Sequence, residues 1–330
     1  MEMRTLGAQG PQVSALGLGL MGMSDLYGPA DEAESLATLH AALDAGVTLL
    51  DTGDFYGSGH NELLLREGLR GRSRDEVVIS VKFGALRDPA GGWVGVDLRP
   101  ASIKNFLAYT LRRLGTDNVD IYRPARVTPE VPIEDVVGTL AELVEAGYVR
   151  FIGLSEVGEQ TLRRAQAVHP VCDVQIEYSL VSRGIEAGLL PAARELGVGV
   201  TAYGVLSRGL ISGYWTAERT GQPDYRSFLP RFSGDNLEQN LSVVDRLRSI
   251  AEPAGVTVAQ LAIAWVLSRG GDIVPLVGAR RRDRLAEALG ALEVALSVDE
   301  LTAVESAVPA EAVAGTRYDA AQMAMLDSER

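Results

Sequence analysis

Short runs of apolar, often β-branched residues alternate with longer segments whose apolar positions recur at helical spacing along this 330-residue chain. Eight such runs are predicted to be strands, each followed by an amphipathic segment that is predicted to be a helix. A strand followed by a helix, repeated eight times, is typical of a (β/α)8 barrel, which needs roughly 250 residues. The eight predicted strands cover residues 13–19, 47–53, 77–83, 119–125, 149–155, 173–179, 198–204 and 272–278.

A doubly wound open sheet is the alternative α/β fold. Its first strand is normally followed by a glycine-rich phosphate-binding turn that opens a helix. Residues 17–23, GLGLMGM, are rich in glycine, but they do not give the spacing G-x-G-x-x-G, and no helix follows at once. The sequence therefore favours the α/β class with a (β/α)8 TIM barrel, and we expect residues 1–330 to form a single domain.

Three segments lie outside the eight strand–helix units. Residues 3–14 have turn residues between two short β segments and predict an N-terminal β-hairpin that closes the bottom of the barrel. The loop 211–236 is rich in aromatic residues and arginine, and its length is typical of a functional or a disordered loop. The C-terminal extra segment from Val308 is too apolar for a pure linker. We expect it to pack near the mouth of the barrel or at a subunit contact.

Composition narrows the possible partners and the compartment. The chain carries 44 acidic and 31 basic residues, a net charge of −13, which argues against nucleic acid or an anionic membrane as a partner. Cys172 is the single cysteine, so no intramolecular disulfide can form, and we expect a packed, inert thiol at the start of a strand. We find no signal-peptide pattern and no apolar run near the roughly 18 residues of a membrane span. We expect a cytoplasmic protein.

Candidate chemistry lies where barrel enzymes have their active sites, at the C-terminal ends of the strands. Lys82 ends the third predicted strand, and a lone buried lysine is costly, so it needs an anion. Asp51, at the end of the neighbouring strand, is the natural partner, although the pair could be purely structural. Tyr56 lies five residues after Asp51, and a tyrosine in such a turn could also be a simple surface residue. An ammonium beside it would lower the phenol pKa from roughly 10 and make Tyr56 a proton donor near neutral pH.

These three residues belong to motifs that follow one another in a fixed order. LLDTGDFYGSGHNE (49–62) and VVISVKFG (77–84) are continued by motifs within 119–156, 174–180, 201–213 and 274–289. From about residue 3 to residue 318, the chain resembles the aldo-keto reductase superfamily, in particular its bacterial pyridoxal-reductase-like members.

The resemblance implies a cofactor, a reaction and three catalytic residues. NADP(H) would lie extended across the barrel mouth and pass a hydride to an aldehyde or ketone, the small-molecule substrate. Tyr56 would be the proton donor, Lys82 would lower its pKa, and Asp51 would hold Lys82 in place. No metal ligands are assigned.

One family residue is missing from the stretch DIYRPAR, 120–126. In many family members the fourth strand ends Gln-Leu-His-Arg, and that histidine orients the substrate carbonyl; the aligned residue here is Ala125. In one interpretation, Arg126 or Arg123 supplies the positive donor, since a guanidinium is always charged. In the other, the site is a weaker catalyst whose substrate brings its own orienting groups. We favour a working enzyme with an altered pocket, because the proton-donating pair of Tyr56 and Lys82 is retained.

The end of the eighth predicted strand predicts a phosphate site. Residues 278–288, GARRRDRLAEA, open a helix with several arginines, and helix N-terminal N–H groups favour anions. The resemblance assigns the adenosine 2′-phosphate to Arg280 and Arg284 and places Glu287 near the adenine; a solvated basic helix start is the alternative. The cofactor-binding residues that the resemblance implies are Met21, Asp51, Ser155, Gln175, Tyr203, Gly204, Leu206, Ser207, Gly209, Gly278, Arg280, Arg284 and Glu287.

Among these residues, Ser155 and Gln175 match the family's carboxamide binders, and Tyr203 resembles the aromatic residue that stacks on the nicotinamide. The loop that follows Tyr203 resembles the family's pyrophosphate cover. Glu156 stands where the family usually has asparagine, which would shift the carboxamide contacts.

The substrate and the exact role of the protein stay open. Candidate substrate contacts are Tyr56, Arg126, Trp93 and Tyr27. A general carbonyl reductase and a reductase dedicated to one large pathway substrate are both compatible with them. A different class of protein is also compatible: an NADP(H)-binding regulatory subunit, resembling the channel-associated β subunits of the superfamily, which also lack the histidine. The oligomeric state is not readable from the sequence.

Overall fold

A computed structural model describes residues 1–24, 26–218 and 224–329. Within these residues, eight parallel strands close into a barrel, which confirms the predicted (β/α)8 fold. Numbered along the chain, the barrel strands are β3 (Gly17–Gly19), β4 (Leu49–Gly53), β5 (Val78–Phe83), β8 (Val119–Pro124), β9 (Val149–Ser155), β10 (Val171–Glu177), β11 (Gly199–Tyr203) and β12 (Ile273–Gly278), paired in that order with β12 returning to β3. That residues 1–330 form a single domain stays a prediction.

Helices cover the outside of the barrel. They are α1 (Glu32–Asp44), α2 (His60–Gly68), α3 (Pro100–Leu114), α4 (Ile133–Glu145), α5 (Glu159–Val168), α6 (Leu189–Leu196), α7 (Gly234–Ala251), α8 (Val258–Ser268), α9 (Arg282–Gly290), α10 (Val298–Ala307) and α11 (Ala320–Ala324). Trp265 of α8 is fully buried, as its apolar surroundings predict. None of the helices in the described ranges is long and apolar enough to cross a bilayer.

The first predicted strand is wrong in its extent, because residues 13–19 belong to two elements. Strands β1 (Met3–Thr5) and β2 (Gln12–Ser14) form the predicted antiparallel hairpin, and the barrel strand begins only at Gly17. The barrel closes tightly at this point. A Cβ on Gly17 would lie 2.9 Å from Leu49 Cδ2 and 3.1 Å from Leu276 Cδ1, so the strand has to start with glycine.

The hairpin closes the bottom of the barrel through apolar contacts. Leu6 and Val13 pack in one cluster with Leu49, Ile121 and Cys172 from the lower ends of the barrel strands, and all five are buried. Burying a leucine or valine side chain stabilises a fold by roughly 1.5–3 kcal/mol. Burial also raises the pKa of the Cys172 thiol, and a nearby carboxylate adds to the effect. The thiol is therefore packed and inert, as expected.

The barrel interior carries a charged pair instead of a purely apolar layer. Arg123 of β8 is fully buried, and its guanidinium lies 2.9 Å from the carboxylate of Asp173 on β10 and 3.0 Å from Ser80 Oγ on β5. Removing one partner of such a pair leaves a buried charge and typically costs about 3–5 kcal/mol. Arg123 therefore belongs to the structure of the barrel below the mouth.

Loops and the C-terminal tail cover the mouth. After β5 the chain forms an antiparallel hairpin, β6 (Ala85–Arg87) with β7 (Trp93–Val96). Residues 219–223 of the predicted long loop lie outside the described residues, and its described part contains short 3-10 turns and the start of α7. The tail docks at the mouth, one of its two expected positions: Asn240 exchanges two hydrogen bonds of 2.9 Å with the backbone of Ala314.

Candidate active site

Asp51 and Lys82 meet at the C-terminal ends of adjacent strands. The parallel register of β4 and β5 pairs Asp51 with Ser80 and Gly53 with Lys82, so both side chains point into the mouth. The buried Lys82 ammonium donates a hydrogen bond to Asp51 Oδ1. Asp51 Oδ2 accepts hydrogen bonds from Ser80 Oγ at 2.9 Å and from Gln175 Nε2 at 2.8 Å. The predicted counter-ion of Lys82 is therefore confirmed, and the carboxylate is held by three donors.

Tyr56 lies beside this pair. It begins a 3-10 turn in which Gly57 has a φ of 54°, a backbone geometry that favours glycine. The Tyr56 ring packs edge-on against Phe55 at 4.9 Å between centroids, and Lys82 Nζ lies 5.2 Å from the centroid of the Tyr56 ring. The structure thus brings together the three residues that the sequence singled out as catalytic.

The predicted lowering of the Tyr56 pKa is wrong. Burial, and then the carboxylate of Asp51, raise the pKa of Tyr56 well above 10, while the guanidinium of Arg126 lowers it. Burial also lowers the pKa of Lys82, against the opposing effect of Asp51. Burial is the main reason for the raised pKa of Tyr56, and the Asp51 carboxylate, to which the Lys82 ammonium is bonded, is the second. A phenol with a raised pKa is protonated at neutral pH, which is the state that a proton donor needs.

Two arginines flank the position of the missing histidine, and they differ in their surroundings. Ala125 is buried against Phe55 and Tyr56. Arg123 is fixed inside the barrel by Asp173, as described above. Arg126 is half-buried at the mouth, donates to the Ala125 carbonyl oxygen at 2.6 Å, and lies 3.4 Å from the Tyr318 hydroxyl. Of the two, Arg126 is the arginine that faces the site.

Glu156, directly after Ser155, is bound by the C-terminal tail. Its carboxylate accepts hydrogen bonds from both terminal nitrogens of Arg317, at 2.9 and 2.6 Å, and from Ser328 Oγ at 2.7 Å. Burial alone would raise the pKa of Glu156, but the hydrogen bonds and charge of Arg317 outweigh it and hold the pKa at about 2. The carboxylate is therefore charged, and its hydrogen-bond donors come from the tail. Glu156 thus binds the tail at the position where the family usually has asparagine.

Tyr318 is a site residue that the sequence reasoning missed. Its hydroxyl lies 2.8 Å from the hydroxyl of Tyr203, which in turn donates to Glu156 at 2.6 Å. The guanidinium of Arg208 lies 4.4 Å from the centre of its ring. The only available signal was the apolar character of the tail, which predicted a packed segment and not the residues that enter the mouth.

The turn after β11 is tight and contains several positive φ angles. Gly204, Ser207 and Gly209 have φ values of 65°, 45° and 97°, and the N–H groups of Ser207 and Gly209 donate to the carbonyl oxygens of Gly204 and Leu206 at 2.7 and 2.9 Å. A Cβ on Gly204 would lie 3.1 Å from Glu177 Cγ, which leaves glycine as the residue that fits. Leu206, inside the same turn, is half-buried.

The start of α9 carries the predicted basic residues beyond the exposed Gly278. Arg280 donates to the carbonyl oxygens of Tyr27, Gly28 and Pro29 at 2.9–3.2 Å, and so holds the loop before α1. The Arg284 guanidinium lies 3.6 Å from the centre of the Tyr214 ring. It is also 3.1 Å from the carboxylate of Glu287, which accepts a hydrogen bond from the Tyr214 hydroxyl at 2.7 Å.

The remaining predicted residues also lie at this end of the barrel. Met21 packs against the cluster of Phe55 and Tyr56. Trp93 of β7 is exposed, and its ring centre is 5.3 Å from that of Phe55. Tyr27 is half-buried, with the Arg226 guanidinium 5.1 Å from its ring centre. A separate cleft of about 410 Å³ lies at the opposite end, beside the β1–β2 hairpin, and contains none of these residues.

The chain is similar to known proteins in both sequence and fold. The model of the aldo/keto reductase family matches residues 15–309. Probable aldo-keto reductase 1 of Glycine max is 39% identical over 314 residues, which cover 95% of this chain and 90% of that protein. The structure of the glycerol dehydrogenase AKR11B4 from Gluconobacter oxydans superposes with a TM-score of 0.84 at 28% identity, covering 92% of this chain and 94% of that one. The holo form of aldo-keto reductase AKR11C1 from Bacillus halodurans gives 0.78 at 27% identity, covering 94% and 97%.

Proposed function

The chain belongs to the aldo/keto reductase family, and we propose that it is an NADPH-dependent reductase that converts an aldehyde or a ketone to an alcohol. The observation that carries this proposal is the cluster of Asp51, Lys82 and Tyr56 at the C-terminal mouth of the barrel. A protonated phenol beside a buried ion pair is equipped to give a proton to a developing alkoxide.

The residues at the mouth fit a nicotinamide dinucleotide phosphate. Arg280 and Arg284 at the start of α9 suit the 2′-phosphate, since guanidinium groups bind phosphate oxygens in pairs. The turn from Gly204 to Gly209 is the proposed contact of the pyrophosphate, as the family resemblance implies, and its two glycines let a ligand approach the backbone closely. Ser155, Gln175 and Tyr203 would hold the nicotinamide end. When bound, NADPH supplies a hydride to the carbonyl carbon.

The protein's own residues handle the proton. Tyr56 donates the phenolic proton to the carbonyl oxygen as the hydride reaches the carbon, so that an alcohol forms and a phenolate remains. Lys82, whose ammonium lies 5.2 Å from the centre of the Tyr56 ring, stabilises that phenolate by its charge. Asp51 favours the charged form of Lys82 and so opposes burial, which lowers the pKa of the ammonium. Proton transfer by a positioned acid is typically worth roughly 10²–10⁴-fold in rate.

We also propose that the protein works in the cytoplasm, and one alternative to the reductase function remains. A reduced, buried Cys172 supports work in the cytoplasm. An NADP(H)-binding regulatory subunit is the second candidate, and the observation that favours it is Ala125 at the position of the carbonyl-orienting histidine.

The test is consumption of NADPH with a panel of aldehydes, ketones and pyridoxal. We expect turnover in the native protein, and a loss of roughly 10²–10⁴-fold in kcat for Tyr56→Phe without loss of NADPH binding. Tyr109→Phe is the matched control, because Tyr109 is exposed on α3. NADPH binding without turnover of any carbonyl would favour the regulatory subunit, and full activity of Tyr56→Phe would exclude Tyr56 as the acid.

A further inference from the structure

Several arginines near the barrel mouth are paired with a carboxylate, and Arg126 is not. Five largely buried arginines in the described part of this end of the barrel have such a partner within 3.5 Å. Arg126 has none there: the hydrogen bonds of its guanidinium go to a carbonyl oxygen and a tyrosine hydroxyl. The five ion pairs are Arg123–Asp173 (2.9 Å), Arg208–Glu177 (2.9 Å), Arg226–Asp224 (2.5 Å), Arg231–Glu177 (3.5 Å) and Arg317–Glu156 (2.6 Å).

A guanidinium in this state has unused binding capacity. It carries five N–H donors, and the protein atoms named above accept two hydrogen bonds from Arg126. Removing a cation from water without a counter-charge is costly, and the chain, with a net charge of −13, does not lack carboxylates. A half-buried arginine without a carboxylate at an active-site mouth is suited to an anion that arrives from outside.

The position of Arg126 relates such an anion to the reacting centre. Arg126 follows Ala125, whose side chain packs against Tyr56, and its charge acts on the Tyr56 hydroxyl by lowering the pKa of the phenol. The Tyr318 hydroxyl accepts a hydrogen bond from the Arg126 guanidinium at 3.4 Å and so fixes its position, while its own proton goes to the Tyr203 hydroxyl. Tyr318 is held there by the tail, through the ion pair of Arg317 with Glu156.

We propose that Arg126, with Tyr318 beside it, binds an anionic group of the substrate, so that the substrate class is carbonyl compounds bearing a carboxylate or a phosphate. The inference rests on the proposed reductase function. It also explains how the substrate is oriented although Ala125 replaces the usual histidine. With its anion bound by Arg126, a substrate would present its carbonyl to Tyr56 in a fixed orientation, for which Ala125 offers no hydrogen-bond donor.

The test compares matched substrates with and without charge. 4-Carboxybenzaldehyde is paired with 4-methylbenzaldehyde, and pyridoxal 5′-phosphate with pyridoxal; the two pairs separate carboxylate from phosphate as the preferred anion. In the native protein we expect kcat/KM to favour the charged member of at least one pair. Arg126→Met should raise KM for that member by roughly 10–100-fold, since hydrogen bonds to charged groups are the stronger ones, and leave its neutral partner nearly unchanged.

Two further variants separate charge from structure. Arg126→Lys keeps the charge without the paired donors and should fall between native and Arg126→Met. Arg112→Met removes a positive charge from an exposed position on α3 and should not alter the preference. An equal loss for charged and neutral substrates in Arg126→Met, or no preference in the native protein, would overturn the inference.

A binding experiment keeps this inference independent of turnover. Titration calorimetry with 4-carboxybenzyl alcohol and with 4-methylbenzyl alcohol measures affinity without chemistry. If no carbonyl is reduced, the proposed function fails, but the inference still predicts tighter binding of the charged alcohol and loss of that preference in Arg126→Met. Equal binding of the two alcohols, together with no binding preference between pyridoxal 5′-phosphate and pyridoxal, would refute it.

Discussion

Glu156 and Arg317 form a two-pronged ion pair across 161 residues of sequence, with N···O distances of 2.9 and 2.6 Å. Both are almost inaccessible to water, at 0% and 7% exposure. The pair joins the end of β9, where the nicotinamide is expected, to the tail that brings Tyr318 into the mouth. A buried pair of this kind adds little net stability over an apolar one, but each partner depends on the other.

The first prediction concerns that dependence. Arg317→Met leaves the Glu156 carboxylate buried without its cation and should lower the free energy of unfolding by about 3–5 kcal/mol. Urea unfolding measures it, with Arg164→Met as the control, because Arg164 forms an exposed ion pair with Glu134. Adding Glu156→Gln to Arg317→Met should recover part of the loss. A single-variant effect below about 1 kcal/mol would mean that the tail does not depend on this pair.

Acid should weaken the fold through the same carboxylate. The pKa of Glu156 is about 2 in the folded protein, against an ordinary value of 4.5, because Arg317 outweighs the effect of burial. A depressed pKa contributes stability that is complete above pH 4.5 and is lost as the pH falls toward 2, about 3 kcal/mol in total. The measurement is the difference in unfolding free energy between the native protein and Glu156→Gln as a function of pH. This difference should shrink between those two values, and a constant difference would contradict the assignment.

The pH profile of carbonyl reduction should reflect the raised pKa of Tyr56. Reduction needs the protonated phenol, and burial and Asp51 keep it protonated well above neutrality. We therefore expect kcat/KM for reduction to stay level from about pH 6 to about pH 9. Asp51→Asn removes the carboxylate that raises this pKa, and should shift the alkaline decline to lower pH. A native profile that already falls near neutral pH would restore the original expectation that Lys82 dominates.

A histidine at position 125 should alter substrate choice. Ala125→His places a donor beside Tyr56, and a single donor to a developing oxyanion is worth roughly 10²–10³-fold in favourable cases. We expect kcat to rise for neutral aldehydes and to change less for carbonyls that carry an anion. The larger side chain costs about 1–3 kcal/mol of stability, because Ala125 is packed against Phe55 and Tyr56. Steady-state kinetics with one neutral and one charged aldehyde measures the effect, and a fall in kcat for both would show that the pocket has no room for the ring.

Cofactor preference should depend on Arg284. The Arg284 side chain is 40% exposed, whereas the Arg280 guanidinium is bonded to three carbonyl oxygens of the loop before α1. Arg284→Met should raise KM for NADPH by roughly 10–100-fold and leave KM for NADH nearly unchanged, since NADH lacks the 2′-phosphate. Arg246→Met, on the exposed side of α7, controls for the lost charge. Equal effects on both cofactors would place the 2′-phosphate elsewhere.

The barrel and the catalytic cluster were predictable because both follow from local pattern. Strand and helix periods define the eight units, and adjacent parallel strands necessarily bring their C-terminal ends together. Asp51 and Lys82 therefore had to meet once their strands were identified. The first strand was misjudged because residues 13–19 stay apolar across the bend between β2 and β3, so the pattern gives no signal for the break.

The rest of the site depends on contacts that no local pattern encodes. The pairing of Glu156 with Arg317 joins two segments far apart in sequence, and either residue alone is an ordinary charged position. The pKa of Tyr56 is raised first by burial and then by the Asp51 carboxylate, and the extent of burial depends on the folded arrangement of the mouth. The ion pair and the pKa can therefore be read only from the three-dimensional arrangement of the charged groups.

The distance in sequence between Glu156 and Arg317 also bears on how the protein is made. A ribosome synthesises Glu156 long before Arg317, so a nascent chain that already contains β9 has no tail arginine to neutralise this carboxylate. An unpaired carboxylate stays in water and keeps the end of β9 from closing. The mouth of the barrel is therefore completed late, when the tail emerges, and a chain that stalls before Arg317 is expected to have its strands but no finished nucleotide site.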